Sequence, residues 1–173
     1  MHMIHIYCGD GKGKTTCAFG LALRAAGRGN RVIIAQFLKG ADSGERLSIA
    51  KVPGVTLLEV PEEVKFSFMM NDEEKARASS RFERERDEAA RAARAGECEL
   101  VVLDECCAAV STGLLPIKMV TDFLDGCPRE LEVVLTGRDP APELVERADY
   151  ITEMRKVKHP FDQGVPARKG IEW

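Results

Sequence analysis

The sequence lacks several features that would assign it to a specialised class of protein. It has no run of about 18 apolar residues, the length that a membrane-spanning helix needs, and its first residues show neither the basic nor the apolar region of a signal peptide. The formal net charge is -3, so no overall basic excess favours nucleic acid or an anionic membrane as a partner. We therefore expect a cytoplasmic protein without a membrane segment or a nucleic-acid partner.

The cysteines also lack the spacing of a metal site or a redox motif. There are 6 cysteines and no CxxC pair, and a hydrophobic content of 45% does not resemble a small disulfide scaffold. We expect reduced thiols. Cys8, Cys106 and Cys107 are then interpreted as small apolar packing residues.

Short apolar runs alternate with helical segments along the chain. The runs predict strands at 3–7, 31–37, 55–60, 99–104 and 131–137, with a shorter one at 150–154. Helices are predicted at 15–26 and 72–95, the second opened by Asn71 and Glu74 in capping-box order. This alternation predicts an α/β fold whose mostly parallel sheet is covered by helices on both faces. No linker or internal repeat interrupts it, so residues 1–173 are expected to form a single domain.

The predicted helix at 72–95 is dense in alanine and in charges of both signs. Phe82 is its single large apolar residue in the stretch FERERDEAARAARAGE. We interpret it as a solvated surface helix with alanines that face a partner.

A glycine-rich loop follows the first predicted strand. Residues 8–15, CGDGKGKT, match the P-loop pattern GxxxxGK(S/T) except at the first position, where Cys8 replaces glycine and where Gly9 and Gly11 restore flexibility. Backbone N–H groups, the Lys14 ammonium and the start of the next helix would surround phosphate, and the Thr15 hydroxyl would ligate Mg²⁺. A plain glycine-rich turn before a helix is the alternative, and the lysine–threonine pair favours phosphate.

Two further strand ends carry groups that suit the same site. VVLDE supplies Asp104 and Glu105 as acidic residues for Mg²⁺, although Asp104 could instead cap the next helix. TGRD places Arg138 at the carboxyl edge of the predicted sheet, where it could reach nucleotide phosphates or form a surface salt bridge.

Five motifs together are similar to one family. The loop GDGKGKTT, the run QFLKG with GER shortly after it, VVLDE, VVLTGR and the tail EMRKVKHPFDQGVPARKGIEW resemble, in order and spacing, the bacterial ATP:corrinoid (cob(I)alamin) adenosyltransferases of the P-loop type. The similarity spans nearly the whole chain, and VKHPFDQGV is its most discriminating part. The resemblance implies a P-loop NTPase-like (RecA-like) fold.

The resemblance also implies an unusual reaction for a P-loop, in which Co(I) of a reduced corrinoid attacks the 5′ carbon of ATP and triphosphate leaves. Its partners would be ATP, cob(I)alamin or a corrinoid precursor, a reductase that supplies Co(I), and a second copy in a homodimer. Lys14, Lys12 and Arg138 would be catalytic. Thr15, Asp104 and Glu105 would hold Mg²⁺. The nucleotide-binding set would be Gly9, Asp10, Gly11, Lys12, Gly13, Lys14, Thr15, Thr16 and Arg138.

The corrinoid would need a broad apolar surface, and the family has aromatic residues in the region of VKFSFMMND. Phe66 and Phe68 are therefore the candidates for corrinoid contact, with Met69 and Met70 beside them. Closing the hydrophobic core is the alternative role for these side chains. His159 is interpreted as structural, because no other metal-type residue is spaced around it.

Two other functions remain open from the residues alone, since P-loop folds host several activities. One is a phosphotransferase or ATPase in which Glu105 positions water. The other is a nucleotide-gated binding module without turnover.

Overall fold

One parallel sheet organises the chain. The structure, a computed structural model, describes residues 2–61, 64–65 and 67–172. The strands are β1 (Met3–Cys8), β2 (Val32–Gln36), β3 (Val55–Leu57), β4 (Leu100–Asp104), β5 (Glu132–Thr136) and β6 (Tyr150–Glu153). They lie in the order β3-β2-β4-β5-β1-β6, and every neighbouring pair is parallel. The carboxyl ends of β1, β2, β4 and β5 therefore meet at one edge of the sheet.

Helices cover both faces of this sheet, as predicted. They are α1 (Lys14–Ala26), α2 (Gly44–Ile49), α3 (Asp72–Arg94), α4 (Cys106–Ser111), α5 (Ile117–Asp125) and α6 (Pro142–Val145). Alternate residues of β2 point to opposite faces: Ile34 packs in a cluster with Phe19 of α1, and Ala35 in a cluster with Phe82 of α3. The cluster around Ile34 contains residues of α1 and α2, and the cluster around Ala35 contains residues of α3 to α6. The fold is thus the α/β arrangement that continuous apolar strands indicate.

The predicted bounds differ by one residue at an end for most elements, but the third strand was predicted too long. It ends at Leu57 instead of residue 60. Leu58 still donates its backbone N–H to Ile34 O at 2.9 Å, and the chain leaves the sheet before Pro61, which has no N–H to donate.

The interpretation of the α3 alanines as partner-facing is wrong. The helix begins with the predicted capping box between Asn71 and Glu74, but its alanines pack into the chain's own core. The Phe82 and Phe37 rings meet there with centroids 5.1 Å apart. Small side chains allow the helix to approach the sheet closely, and the buried ones are Ala89, Ala90, Ala92 and Ala93.

The cysteines behave as small apolar residues. All 6 are free thiols, and Cys8, Cys106 and Cys107 are buried as predicted. Burial raises the pKa of Cys107 to about 12, so this thiol stays protonated at neutral pH.

Within the described residues, no helix combines the length and the apolarity that crossing a membrane requires.

Candidate active site

The glycine-rich loop joins β1 to α1 at the carboxyl edge of the sheet. Gly13 is the N-cap residue of α1 with φ +117°, a left-handed conformation that glycine adopts without steric cost. No side chain caps the helix there, so its first backbone N–H groups and its positive dipole end are available at the loop. Thr16 is exposed in the first turn. This geometry suits phosphate.

Gly9 and Gly11 are required by the close approach of the segment that follows β6. A Cβ atom would lie 2.5 Å from Met154 O at Gly9 and 2.6 Å from the same atom at Gly11. Gly11 also donates its backbone N–H to Met154 O at 2.6 Å. Gly9 has φ +101°, a backbone conformation that requires the flexibility predicted for this glycine. At Gly11 the reason is packing against Met154.

Lys14 lies folded over its own loop. Its Nζ donates to Gly11 O at 2.8 Å. Burial lowers the pKa of Lys14, and the nearby Glu105 charge opposes this shift.

Arg138 follows β5, is exposed, and forms no ion pair with any residue that the structure describes. The salt-bridge alternative for Arg138 is therefore not observed.

Asp104 lies at the centre of a buried polar cluster. Its side chain is fully buried, and its Oδ1 accepts from Thr15 Oγ1 at 2.9 Å and from Thr136 Oγ1 at 2.6 Å. Its Oδ2 accepts from Gln36 Nε2 at 3.0 Å and lies 3.1 Å from Lys39 Nζ. Both carboxylate oxygens are thus satisfied, and they fix the Thr15 hydroxyl next to the loop. The helix-cap alternative is wrong, because the N-cap residue of α4 is Glu105.

The orientation of the Gln36 amide is set from its other side. Arg46 Nη1 donates to Gln36 Oε1 at 2.8 Å, and Arg46 Nη2 donates to Leu58 O at 2.9 Å. Since a guanidinium donates only, the Gln36 oxygen must face Arg46 and its NH₂ must face Asp104. Burial lowers the pKa of Arg46. This contact connects α2 to the cluster.

Sequence reasoning assigned no role to Gln36, Lys39, Arg46 or Thr136. A signal was present, because Gln36 and Thr136 are polar residues that end apolar parallel strands, and ligands gather at that edge in open α/β sheets. Lys39 and Arg46 belong to the QFLKG and GER motifs. Their contacts depend on β2 lying beside β4, a pairing that residue spacing does not determine.

Glu105 faces the same region from a strained backbone position. Its φ is +59°, and its backbone N–H donates to Thr136 Oγ1 at 2.8 Å. Burial raises the pKa of the Glu105 carboxyl, and the adjacent Asp104 charge adds to the rise. The charges of Lys39, Lys14 and Arg138 act in the opposite direction, so this carboxyl lies among the cations of the site.

The donor set suits a hard divalent cation. The Thr15 hydroxyl and the Asp104 and Glu105 carboxylates offer oxygen, the ligand type that Mg²⁺ prefers. No cluster of three or more His, Cys, Asp or Glu side chains suited to a metal ion occurs in the described part of the chain. Mg²⁺ does not need one beside a nucleotide, because waters and phosphate oxygens supply most of its ligands.

The tail returns to the loop and forms a cavity with it. Lys12 Nζ donates to Ile171 O at 2.9 Å and lies 3.7 Å from Glu172 Oε1. The cavity is about 270 Å³. The loop lines it with Asp10, Gly11, Lys12 and Lys14, and Arg138 lines it from the segment after β5. The tail residues in the lining include His159, Phe161 and Arg168. The discriminating tail motif thus lies directly against the glycine-rich loop.

Two polar residues anchor the tail. Asp10 Oδ1 accepts from the Lys156 backbone N–H at 2.9 Å, and this hydrogen bond lowers the pKa of Asp10. His159 Nδ1 accepts from the Phe161 backbone N–H at 3.2 Å and caps a short 3₁₀ turn, Pro160–Gln163. This hydrogen bond gives His159 a structural contact in the tail.

The segment before α3 presents apolar side chains outward. Phe68 is 82% exposed and Met69 62%, both in a 3₁₀ turn at Ser67–Met69. Met70 packs against the core. Core closure therefore describes Met70 but not Phe68 or Met69. Phe66 lies outside the described residues.

Comparison with known sequences decides the family. The sequence model for "ATP:corrinoid adenosyltransferase BtuR/CobO/CobP" matches residues 1–173. The chain belongs to this family. The corrinoid adenosyltransferase of Pseudomonas aeruginosa is 36% identical over 169 residues, which cover 97% of this chain and 82% of that protein. The corrinoid adenosyltransferase of Escherichia coli K12 is 37% identical over 177 residues, covering 99% and 85%.

A solved structure supports the fold of this corrinoid adenosyltransferase family member. ATPases 2 and 3 of EssC from Geobacillus thermodenitrificans superpose with a TM-score of 0.52 at 14% identity. The match covers 97% of this chain and 34% of that chain. At this identity the similarity concerns the fold, which is that of a P-loop NTPase-like domain.

Proposed function

We propose that this protein transfers the 5′-deoxyadenosyl group of ATP to Co(I) of a reduced corrinoid and releases triphosphate, in adenosylcobalamin synthesis or salvage. Co(I) supplies the electron pair of the new Co–C bond, and the C5′–O bond breaks with its electrons on the triphosphate. The observation that supports this most directly is the tail motif VKHPFDQGV, which closes a cavity over the glycine-rich loop.

The triphosphate is the leaving group, so the protein must stabilise the charge that gathers on it. Lys14, Lys12 and Arg138 line one cavity and would act as the catalytic cations. The loop from Gly9 to Gly13 and the start of α1 would supply backbone N–H groups, with Thr16 beside them. No general base is required, because Co(I) carries no proton.

We assign the magnesium site to Thr15, Asp104 and Glu105. Mg²⁺ would neutralise part of the triphosphate charge when it is bound. Asp104 accepts the Thr15 proton, so the Thr15 oxygen keeps lone pairs for a cation. The Asp104 oxygens already have four polar neighbours, so Asp104 would contribute its negative charge and the position of Thr15. Glu105 would be the carboxylate that faces the cation.

The corrinoid would meet the segment before α3. Phe68 and Met69 expose apolar surface that a broad corrin ring could cover, and Phe66 is included from the family resemblance. Covering the cobalt face with apolar side chains would exclude water from it. We further propose that the chain works as a single-domain cytoplasmic homodimer and receives Co(I) from a separate reductase.

Product analysis tests the proposal. Incubation with ATP, Mg²⁺ and chemically reduced cobalamin is expected to yield triphosphate and adenosylcobalamin in equal amounts. Omission of the reductant should abolish both products. A phosphotransferase or ATPase would release orthophosphate or a phosphorylated acceptor, and a binding module would release nothing. Either result would contradict adenosyl transfer.

A further inference from the structure

Lys39 contacts two of the oxygens assigned to the metal site. Its Nζ donates to Thr15 Oγ1 at 2.7 Å and lies 3.1 Å from Asp104 Oδ2. A third oxygen, Glu45 Oε1 in the first turn of α2, lies 3.6 Å from the same nitrogen. The lysine therefore sits between the metal-site pair on one side and a carboxylate on the other.

These contacts leave little room for a second cation at Thr15. The Thr15 proton is directed to Asp104 Oδ1, and one of the remaining lone pairs accepts from Lys39. A divalent ion on the same hydroxyl would lie within a few ångströms of the ammonium. Repulsion between like charges at such a distance is strong in a partly buried site.

We propose that Lys39 occupies the Thr15 and Asp104 oxygens in the absence of metal and is displaced toward Glu45 when Mg²⁺ enters. Lys39 and the metal then compete for the same oxygens, and Glu45 receives the displaced charge. The ammonium prevents Asp104 from being a buried unpaired charge before the metal arrives. This inference rests on the magnesium site assigned under the proposed function.

Metal binding without nucleotide or corrinoid tests the competition directly. Mn²⁺ is titrated into the protein and free Mn²⁺ is measured by electron paramagnetic resonance. Lys39→Met is expected to bind Mn²⁺ at least about tenfold more tightly than the natural chain, because the competing charge is gone. Lys118→Met is the matched control, since Lys118 pairs with Asp122 on the exposed side of α5, and it should bind as the natural chain does. Equal or weaker binding by Lys39→Met would overturn the proposal.

Glu45→Gln is expected to change the affinity in the opposite direction. Removing the receiving carboxylate should weaken Mn²⁺ binding several-fold, and this loss should vanish in the double variant with Lys39→Met. A loss that persists in the double variant would contradict the role of Glu45. A merely structural role of Lys39 and Glu45 would shift both single variants in the same direction.

The natural chain offers a measurement that does not depend on how a variant folds. Reductive methylation followed by mass spectrometry reports the accessibility of each lysine. Lys39, whose side chain is 26% exposed, should react faster at Mn²⁺ concentrations that occupy the site, while Lys118 reacts unchanged. An unchanged Lys39 rate under these conditions would refute displacement.

The outcomes separate this inference from the proposed function. If Mn²⁺ binds with ATP present but Lys39→Met behaves as the natural chain, the competition is wrong and the metal site stands. If no Mn²⁺ binds with or without ATP, the metal assignment fails, and the competition fails with it. Triphosphate release is measured independently of both.

Discussion

Gly11 and Met154 are joined by a hydrogen bond of 2.6 Å between the Gly11 backbone N–H and the Met154 carbonyl. This contact fixes the glycine-rich loop to the segment after β6, which pairs with β1 in parallel register. Met154 in turn donates its N–H to Cys8 O at 2.8 Å, so the loop is bound at both of its sides. The position of the loop therefore depends on Met154, which lies about 140 residues after Gly11 in the sequence.

Replacing Gly11 by alanine should disturb both stability and nucleotide binding. The new Cβ would lie 2.6 Å from Met154 O, so backbone must shift on one side. We expect a loss of about 1–3 kcal/mol in the free energy of unfolding, measured with urea. Gly20→Ala is the control, since that position in α1 has open space around it and should gain up to about 1 kcal/mol. Equal stability of Gly11→Ala and the natural chain would show that the loop and Met154 are not tightly packed.

Replacing Asp104 by asparagine should break the buried cluster. Whichever way the new amide is turned, its NH₂ group would face hydrogen-bond donors, either Thr15 or Gln36 and Lys39. Lys39 would also lose the negative charge that it pairs with. We expect a loss of about 2–4 kcal/mol in the free energy of unfolding, since one member of a buried charged network is removed. Asp122→Asn, an exposed residue paired with Lys118, should change stability by less than about 1 kcal/mol. A loss as small as that of the control would mean that the cluster contributes little.

The fold and the main site residues could be predicted because their signals are local. Continuous apolar runs give the strands, and the P-loop pattern lies within eight adjacent positions, 8–15. The early end of β3 could not be predicted from its apolar run VTLLEV, because pairing with β2 ends at Ile34, which accepts the Leu58 N–H before the chain leaves the sheet. Hydrogen bonding with the neighbouring strand, not hydropathy, sets that boundary.

The cluster around Asp104 could not be predicted for a different reason. Gln36, Thr136 and Lys39 reach this carboxylate because β2 and β5 lie on either side of β4. Strand order is a property of the packed sheet, and the spacing of residues along the sequence does not determine it. The alanines of α3 show the same limit, since an alanine face suits close packing against a partner or against the chain's own sheet equally well.

Lys14→Ala should reduce turnover while the fold is retained. The ammonium faces the loop and would stabilise the departing triphosphate, so kcat/KM for triphosphate formation should fall by about 10²–10³, or roughly 2.7–4 kcal/mol. Lys51→Ala, an exposed lysine after α2, serves as the control for loss of one positive charge. Turnover of Lys14→Ala at the natural rate would remove this lysine from the phosphate site.

Phe68→Ala should separate corrinoid use from nucleotide binding. Because Phe68 is 82% exposed, its truncation should cost less free energy of unfolding than the roughly 3–5 kcal/mol typical of a buried phenylalanine. The KM for reduced corrinoid should rise while the Kd for ATP, measured by calorimetry, stays the same. Leu23→Ala, which removes another exposed apolar side chain from α1, should change neither quantity. Parallel losses in ATP affinity and corrinoid use would assign Phe68 to folding of the site instead.

Glu85 should make stability depend on pH. The carboxyl is buried in α3, its Oε2 lacks a hydrogen-bond partner among the described residues, and burial raises its pKa to about 7 despite the Arg81 guanidinium 2.9 Å away. Its ordinary value is 4.5, so between about pH 4.5 and pH 7 the folded state holds a proton that the unfolded state has released. Stability from this group is therefore complete at low pH and is lost as the pH rises toward 7.

Glu85→Gln tests this sign, because the amide stays neutral at every pH. Relative to the natural chain, the variant should gain about 1–3 kcal/mol in the free energy of unfolding on going from pH 5 to pH 8. Glu88→Gln, an exposed position on the same helix, should show no such pH-dependent gain. Urea unfolding at the two pH values measures the difference. A variant whose relative stability is the same at pH 5 and pH 8 would show that the Arg81 charge outweighs burial, and Glu85 would then be ionised in the folded protein at both pH values.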